Sequence, residues 1–345
     1  MSPDALDREL AGLARPVVVV STSVGRGMYS IGEALVERLG GGPDVHHLAV
    51  EDALAPEGVR EDKERYRAIS CRFPVLLNLV YRFPFLYWRK LWRESRLATT
   101  DVRGLERVFR ERGARTVLCV SHRPAFWSAF AKLRSELDVT IVGLLGEYGR
   151  NLGWRYVPWR AIRTFLSPVP ADAIGFELPA HVRFARVDLP ARAEYAALAA
   201  TSGDPDRVLV VCGLWGQGDL RRLVGEVLAA SPEVRVDVVC GENEAARREL
   251  AADADQRERV AVHGVVASLA PFLERCGSVV TKPGISTLLE AHASGRRLFV
   301  VRGMPVAEDN NLRHALRAFG ATPFTREAFR AWHASVREPV GAGAP

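Results

Sequence analysis

The sequence has few cysteines, and their placement excludes several kinds of site. There are five, each isolated from the others, so at least one stays unpaired in any disulfide scheme. Four of them lie in or beside apolar stretches, where cysteine behaves as a small buried hydrophobe. No Cys-x-x-Cys pair and no His/Cys spacing of a zinc ligand set occurs. We therefore expect no metal site and a reducing, cytoplasmic location. The cysteines are Cys71, Cys119, Cys212, Cys240 and Cys276.

Long hydrophobic runs are also missing. No uninterrupted apolar stretch reaches the ~20 residues that a membrane-spanning helix needs. The first sixteen residues, MSPDALDRELAGLARP, contain acids and no apolar core, so we expect no signal peptide. A chain of 345 residues with 48% hydrophobic and 26% charged residues has the composition of a globular protein with room for two domains.

Short apolar stretches alternate with helical stretches along the chain. This alternation is typical of parallel sheets with right-handed crossover connections. We expect one α/β domain at residues 1–200, a second at 201–337 and a flexible tail at 338–345, with a polar linker at 200–206. The predicted strands are residues 17–21, 117–121, 139–145, 208–213, 234–240, 260–263, 279–280 and 298–301.

Small-residue turns follow several of the predicted strands. Ligands of parallel α/β sheets bind at the carboxyl ends of the strands, where a starting helix offers free N–H groups and a favourable dipole to an anion. The guanidinium of Arg26 is suited to a phosphate, and a solvated loop arginine is the equal alternative. The turn residues are Gly25, Arg26, Gly27 and Met28 in the first half, and Gly213, Gly216, Gly218, Gly241 and Gly284 in the second.

The stretch 278–311 carries the strongest functional pattern. An apolar strand runs into Thr-Lys-Pro-Gly, a helix follows, and a second strand leads to an acidic loop. We predict a diphosphate at the turn, ribose hydroxyls on Glu290 in the helix, and Ser286 or Thr287 as the N-cap. Lys282 either contacts the diphosphate as a point charge or ends the strand in solvent. Together these elements predict half of a nucleotide-sugar site, whose further candidates are Gly284, Glu308 and Asp309.

This stretch resembles the donor-binding signature of glycosyltransferase family 28, roughly TKPGG-x-T-x-x-EA followed by PGQEEGN. Other segments resemble the family in the same order along the chain. VLVVCGLWGQGDL at 208–220 is similar to its strand and glycine-rich turn, and VVCGEN at 238–243 to its VVCGxN element. HGVV at 263–266 is similar to its xGF turn, which places Val265 in the donor site.

The resemblance implies a GT-B fold, in which two Rossmann-like domains with parallel sheets face an interdomain cleft. It implies an inverting transfer of a sugar from a nucleoside-diphosphate donor, expected to be a UDP-sugar, to a hydroxyl of a lipid-like or apolar acceptor. Such a transfer needs no metal or other cofactor, because helix N-termini and basic groups neutralise the departing diphosphate. The sugar itself stays open, because Ala307 stands where the family has a glutamine.

The chain departs from the family pattern where the family places its chemistry. Its Gly-Gly-Gly-His turn is replaced by STSVGRGMYS at 21–30, which puts Gly27 or Met28 at the histidine position. Glu147 stands in for the family's aspartate and is one candidate for the general base, and His122 is the other. Purely structural roles, as a solvated loop acid and a hydrogen-bonded histidine, are equally open for both.

Residues 66–97 are rich in aromatic and basic side chains. Tyr and Trp beside Arg and Lys suit the surface of an anionic membrane. We expect one or two amphipathic helices that contact the inner face of the membrane weakly, and packing onto the N-terminal domain is the alternative. A pI near 9.3 also fits a nucleic-acid partner, but no RNA-binding motif occurs, and we expect none.

Two other functions are compatible with the same residues. The missing histidine and Ala307 fit a catalytically degenerate GT-B protein that binds a ligand or activates a partner transferase. A nucleotide-sugar epimerase is the second alternative on this fold. It needs several acids and histidines around the sugar, and the sequence does not display that cluster.

Overall fold

The structure is a computed structural model that describes residues 4–23, 26–54, 64, 102–253, 258–303 and 308–337. It divides into two compact units. Unit 1 contains Met1–Arg192 and Met304–Asn311, and unit 2 contains Ala193–Gly303 and Leu312–Pro345. The linker predicted at 200–206 is wrong in its second half, because Asp204 already begins a strand. Its carboxylate accepts a hydrogen bond from the Asp206 N–H at 2.9 Å, so the polar residues shape the strand start.

Unit 1 is built on a six-stranded sheet in which every described neighbouring pair is parallel. The strand order is β2-β1-β3-β4-β5-β6. The strands are β1 (Val17–Ser21), β2 (Val45–Ala49), β3 (Thr116–Cys119), β4 (Thr140–Leu144), β5 (Ile162–Ser167) and β6 (Arg183–Arg186). The helices are α1 (Asp4–Ala11), α2 (Arg26–Arg38), α3 (Arg103–Glu111) and α4 (His122–Ser135).

Unit 2 repeats the arrangement with a second six-stranded parallel sheet, in the order β12-β11-β10-β7-β8-β9. Its strands are β7 (Asp204–Val211), β8 (Arg235–Val239), β9 (Val260–His263), β10 (Cys276–Thr281), β11 (Arg297–Val300) and β12 (Thr322–Pro323). Its helices are α5 (Ala193–Ala197), α6 (Leu220–Leu228), α7 (Glu244–Ala252), α8 (Ala270–Arg275), α9 (Ile285–Ala293), α10 (Asp309–Ala318) and α11 (Arg326–Arg337). The first turn of α10 belongs to the segment grouped with unit 1.

The first strand of each sheet is apolar along its buried length. All five residues of β1 are buried, and four of them are valines with no exposed surface. A parallel strand with helices on both faces needs such a run, because neither face meets water. The same holds for the second half of β7, where Val208, Leu209 and Val210 have no exposed surface.

The strand order reverses once in each sheet. In unit 1 the chain moves outward from β1 to β2 on one side and to β3 on the other. In unit 2 it moves from β7 to β8 on one side and reaches β10 on the other. Ligands of open parallel sheets bind at the carboxyl ends of the strands beside such a reversal. The two candidate ligand-binding edges therefore lie after β1 and β3 in unit 1, and after β7 and β10 in unit 2.

The segment 66–97 and the tail 338–345 lie outside the described residues, as does Gly25. Within the described ranges, no helix is both long and apolar enough to cross a membrane.

Candidate functional site

The turn after β7 is hydrogen-bonded to the turn after β8. The Gly216 N–H donates to the Gly213 carbonyl at 3.0 Å, which closes the first turn. The Glu242 N–H then donates to the Leu214 carbonyl at 2.7 Å, and the Asn243 side-chain amide donates to the Gly216 carbonyl at 2.9 Å. The turns after β7 and β8 are therefore hydrogen-bonded to each other at the carboxyl edge of the unit 2 sheet.

Glycine is required at two positions where these turns meet. Gly216 has a φ of 51°, and a Cβ there would lie 2.2 Å from the Cys240 carbonyl oxygen. Gly241 has a φ of 57°, and its Cβ would lie 2.0 Å from the Leu214 carbonyl oxygen. Gly218 has a φ of 86° but faces open space, so only its backbone conformation favours glycine. At both of the first two positions the facing backbone leaves no room for a side chain.

The turn after β10 brings a cation to the same edge. The Lys282 side chain passes over Gly213, where an added Cβ would lie 3.0 Å from the lysine Cε. Helix α9 then begins at Ile285, with Gly284 as its N-cap and no side-chain capping bond. The predicted N-caps are therefore wrong, since Ser286 and Thr287 lie inside the first turn. A glycine cap leaves the positive end of the α9 dipole without a capping side-chain oxygen beside Lys282.

Glu290 follows on the same helix and is 6% exposed. A carboxylate that is almost buried, one turn in from a helix N-terminus, can accept hydrogen bonds from neighbouring hydroxyls or N–H groups. Thr287 is similarly buried at 7%. Glu308 is 7% exposed and Asp309 opens α10, in the segment grouped with unit 1. Ala307 lies outside the described residues.

The loop after β9 completes the edge of unit 2. A Cβ at Gly264 would lie 3.9 Å from the Gly241 carbonyl oxygen and 3.5 Å from the Arg247 Cδ, so this loop adjoins the turn after β8. Val265 is 59% exposed, an unusually high value for a large apolar side chain here. The structure thus brings the predicted residues Gly213, Gly216, Gly241, Lys282 and Gly284 to one edge, with Val265 on the adjoining loop.

In unit 1, the predicted turn at 25–27 is partly helix. Arg26 and Gly27 are the first residues of α2, so they belong to a helix and not to a turn. Arg26 is exposed, and its guanidinium lies 5.9 Å from the centroid of the Tyr29 ring. Its charge therefore sits at the N-terminus of a 13-residue helix, at the carboxyl end of β1.

Met28 and the Glu147 loop come together in unit 1. A Cβ at Gly146 would lie 2.5 Å from the Met28 sulfur and 2.7 Å from the Val120 carbonyl oxygen. Glu147 is the next residue and is partly buried. Met28, one of the two positions that align with the family's histidine, thus lies against Gly146. Gly146 directly precedes the candidate base Glu147.

The other candidate base, His122, is the first residue of α4. It follows Ser121, which has extended backbone angles (φ −167°, ψ 174°) and is itself buried. His122 thus follows β3, and Glu147 follows the neighbouring strand β4. Both side chains start from the same edge of the unit 1 sheet and are partly buried.

Two polar residues of this edge were missed from the sequence. Glu51 is 6% exposed and accepts hydrogen bonds from the Thr22 hydroxyl at 2.5 Å and the Ser23 N–H at 2.8 Å. His47 lies 2.8 Å from the Ser21 hydroxyl through its Nε2, and burial lowers its pKa from 6.5 to about 4. Both fix the chain where it leaves β1. The sequence pattern that could have indicated these residues is the pair His46-His47 followed by Glu51-Asp52. The histidines lie in β2, a strand that the sequence analysis did not predict.

The segment from Asn151 to Trp154 has a structural role. The Asn151 side chain accepts a hydrogen bond from the Gly153 N–H at 3.0 Å and caps a short 3₁₀ turn. Trp154 is fully buried, with its ring centroid 4.8 Å from that of Phe165 and 5.9 Å from that of Trp159. In the part of the chain that the structure describes, no group of three or more His, Cys, Asp or Glu side chains could hold a metal ion.

No protein-family model matches the sequence, and no curated protein matches it significantly. Structural similarity, in contrast, extends over nearly the whole chain. MurG of Acinetobacter baumannii has a TM-score of 0.53 at 16% identity, over 93% of this chain and 90% of that one. The glycotransferase of kitacinnamycin has a TM-score of 0.52 at 16% identity, over 94% and 90%. A putative UDP-N-acetylglucosamine 2-epimerase from Listeria monocytogenes has a TM-score of 0.51 at 11% identity, over 93% and 87%.

Likeness at such low identity concerns the fold. In this chain the fold consists of two parallel six-stranded sheets, each with one reversal of strand order. The chain has the GT-B fold of two Rossmann-like units, and it is similar in that fold to glycosyltransferases, MurG among them.

Proposed function

We propose that the protein is an inverting glycosyltransferase, which moves a sugar from a UDP-sugar to a hydroxyl of a lipid-like or apolar acceptor. The observation that supports it most directly is the edge of unit 2 where three turns meet. Close-packed glycines, Lys282 and the N-terminus of α9 lie there together, at the reversal of strand order between β7 and β10. Backbone N–H groups, a helix dipole and one cation suit a diphosphate.

The donor has a consistent placement on this edge. Its diphosphate lies at the β7 and β10 turns, its ribose binds Glu290, and its base packs on the loop after β9. Glu308 and Asp309, at the start of α10, are the sequence-based candidates for binding the sugar. The residues with these roles are Gly213, Gly216, Gly218, Gly241, Val265, Lys282, Gly284, Ser286, Thr287, Glu290, Glu308 and Asp309.

The reaction is a direct displacement at the anomeric carbon. The acceptor hydroxyl attacks, the C–O bond to the diphosphate breaks, and a general base removes the hydroxyl proton. Glu147 and His122 are the two candidates, while Arg26, Gly27 and Met28 lie on the acceptor side. Charge that develops on the departing diphosphate is stabilised by Lys282 and the α9 N-terminus, so the reaction needs no metal or cofactor.

The acceptor is placed at the membrane on the strength of residues 66–97, which combine aromatic rings with basic side chains. The protein is then cytoplasmic and peripheral to the inner face. Attraction to anionic lipid falls with salt, because exposed charges are screened beyond ~10 Å at 0.1 M ionic strength. Flotation with anionic liposomes at low salt tests this contact. Absence of flotation would leave the segment as part of an acceptor pocket or a packed lid.

A degenerate GT-B protein that assists another transferase is the rival function. It is favoured by Met28, whose thioether packs against Gly146 and cannot accept a proton. Calorimetry with UDP, followed by UDP release from UDP-sugars with and without lipid extract, separates the two. An enzyme binds UDP and releases it faster with an acceptor present. UDP binding without turnover supports the rival, and no UDP binding contradicts the proposed donor.

A further inference from the structure

A buried carboxylate joins three elements of unit 2. Asp237, in the middle of β8, is 3% exposed. Its Oδ1 accepts a hydrogen bond from the Arg275 Nη2 at 2.7 Å and lies 3.0 Å from the His263 Nε2. Its Oδ2 accepts a second bond from the Arg275 Nε at 3.0 Å, and the Arg207 guanidinium lies 3.8 Å away. Paired contacts of this kind fix both position and orientation of an arginine.

The ring of Phe272 packs against both partners of this carboxylate. It lies edge-on to the His263 ring at 4.8 Å between centroids, and the Arg275 guanidinium stands 4.7 Å over it. Phe272 and Arg275 lie on α8, so β8, β9 and α8 are joined by one polar and aromatic cluster. With its ring held on two sides, His263 cannot rotate without breaking a contact to a buried charge.

This cluster lies directly before the exposed loop. His263 is the last residue of β9, and its carbonyl accepts a hydrogen bond from the Cys240 N–H at 2.9 Å. On the other side, Val266 packs into the hydrophobic core of unit 2. Val265 stands between these two fixed residues with 59% of its surface exposed. An apolar side chain held outward in this way offers a flat ring a place to pack.

We propose that Asp237, His263 and Arg275 are positioning residues, which hold the loop after β9 so that Val265 packs against the nucleobase of the donor. The proposal rests on the proposed function, because it needs a nucleotide at this edge. It adds a role for three residues that do not themselves touch the ligand. They affect nucleotide affinity only because they fix the position of Val265.

The chain contains a matched control. In unit 2 another histidine, His333, lies 2.8 Å from Asp206, whose carboxylate also accepts a hydrogen bond from Arg337 at 2.6 Å. His333 is 3% exposed. Asp206 lies in the first half of β7, at the amino end of the strand, whereas the glycine turns follow its carboxyl end. Removing His333 should therefore disturb stability but leave the nucleotide edge intact.

A double-mutant cycle on UDP affinity tests the proposal in the full-length protein. We expect His263→Ala and Val265→Ala each to weaken UDP binding about tenfold, the scale of losing the contact of two buried methyl groups. The double variant should be no weaker than about the larger single effect, because both remove the same contact. His263→Gln, whose amide can donate to Asp237, should restore most of the affinity. His333→Ala should lower the melting temperature without changing UDP affinity.

Several results would overturn the proposal. Additive effects of His263→Ala and Val265→Ala would show that the histidine acts elsewhere, and unchanged UDP affinity in His263→Ala would show that it does not act at all. Equal losses of UDP affinity in His263→Ala and His333→Ala would show that both changes act only by destabilising unit 2. If His263→Ala fails to fold, Arg275→Ala, which removes the paired bonds to Asp237, is combined with Val265→Ala for the same comparison. A wild-type protein that does not bind UDP contradicts the proposed function as well, whereas UDP binding with an additive cycle contradicts this inference alone.

Discussion

Gly146 lies directly against Met28: a side chain at Gly146 would begin 2.5 Å from the methionine sulfur. On its other side, the end of β3 comes within 2.7 Å through the Val120 carbonyl oxygen. One of the positions where the family pattern has a histidine is thus occupied by a thioether that packs on the neighbouring loop. A titratable group for this edge must come from elsewhere, and Glu147 follows Gly146 immediately.

The first prediction concerns this close contact. Gly146→Ala should lower the free energy of unfolding by about 1–3 kcal/mol, because the Val120 backbone cannot move aside as the Met28 side chain can. Gly225→Ala is the matched control, since no atom lies within 4 Å of an added Cβ there and the residue is inside α6. That change should stabilise by about 0.5–1 kcal/mol. Urea unfolding of both variants checks the pair, and equal effects would contradict the packing argument.

The second prediction concerns the glycines of unit 2. Gly216→Ala should lower stability by more than the ~1–2 kcal/mol of a left-handed alanine, because its Cβ also meets the Cys240 carbonyl oxygen. Gly218→Ala should cost only that conformational term, since its Cβ would face open space. UDP affinity should fall for both variants, and more for Gly216→Ala, which also displaces the turn after β8. Calorimetry that finds equal affinities would remove this junction from the nucleotide site.

The sequence predicts some strands well and others poorly, for a physical reason. The apolar strands β1, β3, β4, β7, β8, β10 and β11 correspond to predicted stretches because parallel strands covered on both faces need such runs. The strands β2, β5 and β6 have the sequences VHHLA, IRTFLS and RFAR. They were not predicted, because their polar residues interrupt the apolar pattern of a buried strand. Composition alone does not distinguish such strands from loops.

The candidate site shows the same division. Its glycines follow predictable strands, so their common edge was expected from the sheet rule. The hydrogen bonds that Thr22 and Ser23 donate to Glu51 were not expected, because they join residues nearly thirty positions apart and depend on the pairing of β1 with β2. The α9 cap was misjudged because serine and threonine are favoured N-caps, whereas here Gly284 has the extended backbone of a cap.

The third prediction concerns the ribose. Glu290→Gln should weaken UDP binding by about 1–3 kcal/mol, the scale of a hydrogen bond to a charged group. The amide keeps the size of the buried side chain, so stability should change little. Glu226→Gln removes a surface pair with Arg222 (3.0 Å) and should leave UDP affinity unchanged. Unchanged affinity in Glu290→Gln, measured by calorimetry, would exclude Glu290 from the nucleotide site.

The fourth prediction concerns the base. Either Glu147→Gln or His122→Ala should lower turnover by roughly 10²–10⁴-fold while UDP affinity stays constant, since a general base acts in the transition state. The other variant should keep most of its activity. The measurement is UDP release with a working acceptor, for each variant separately. Near-full turnover in both would place the base elsewhere or show that this acceptor needs none.

The last prediction is a pH dependence of stability that is caused by the titration of His47. Because burial lowers the pKa of His47 to about 4 from 6.5, the unfolded chain binds a proton between these values that the folded protein does not. Its contribution is therefore constant above about pH 6.5 and is lost as the pH falls toward 4. His47→Gln, which can still reach the Ser21 hydroxyl, should remove this part of the dependence.

Urea unfolding at several pH values between 7 and 4 measures the effect as the difference between wild type and His47→Gln. The pKa of Glu244 is lowered to about 2 by its bonds to Arg247 and Arg248, so its titration in the folded protein falls below this range. His46 and His292 also have lowered pKa values, but they are unchanged in the variant and cancel in the difference. The difference should grow steadily as the pH falls, because each proton taken up by unfolded His47 favours the unfolded state. A constant difference over the whole range would mean that His47 is protonated equally in the folded and unfolded chain, and the Ser21–His47 contact would then not depend on a neutral ring.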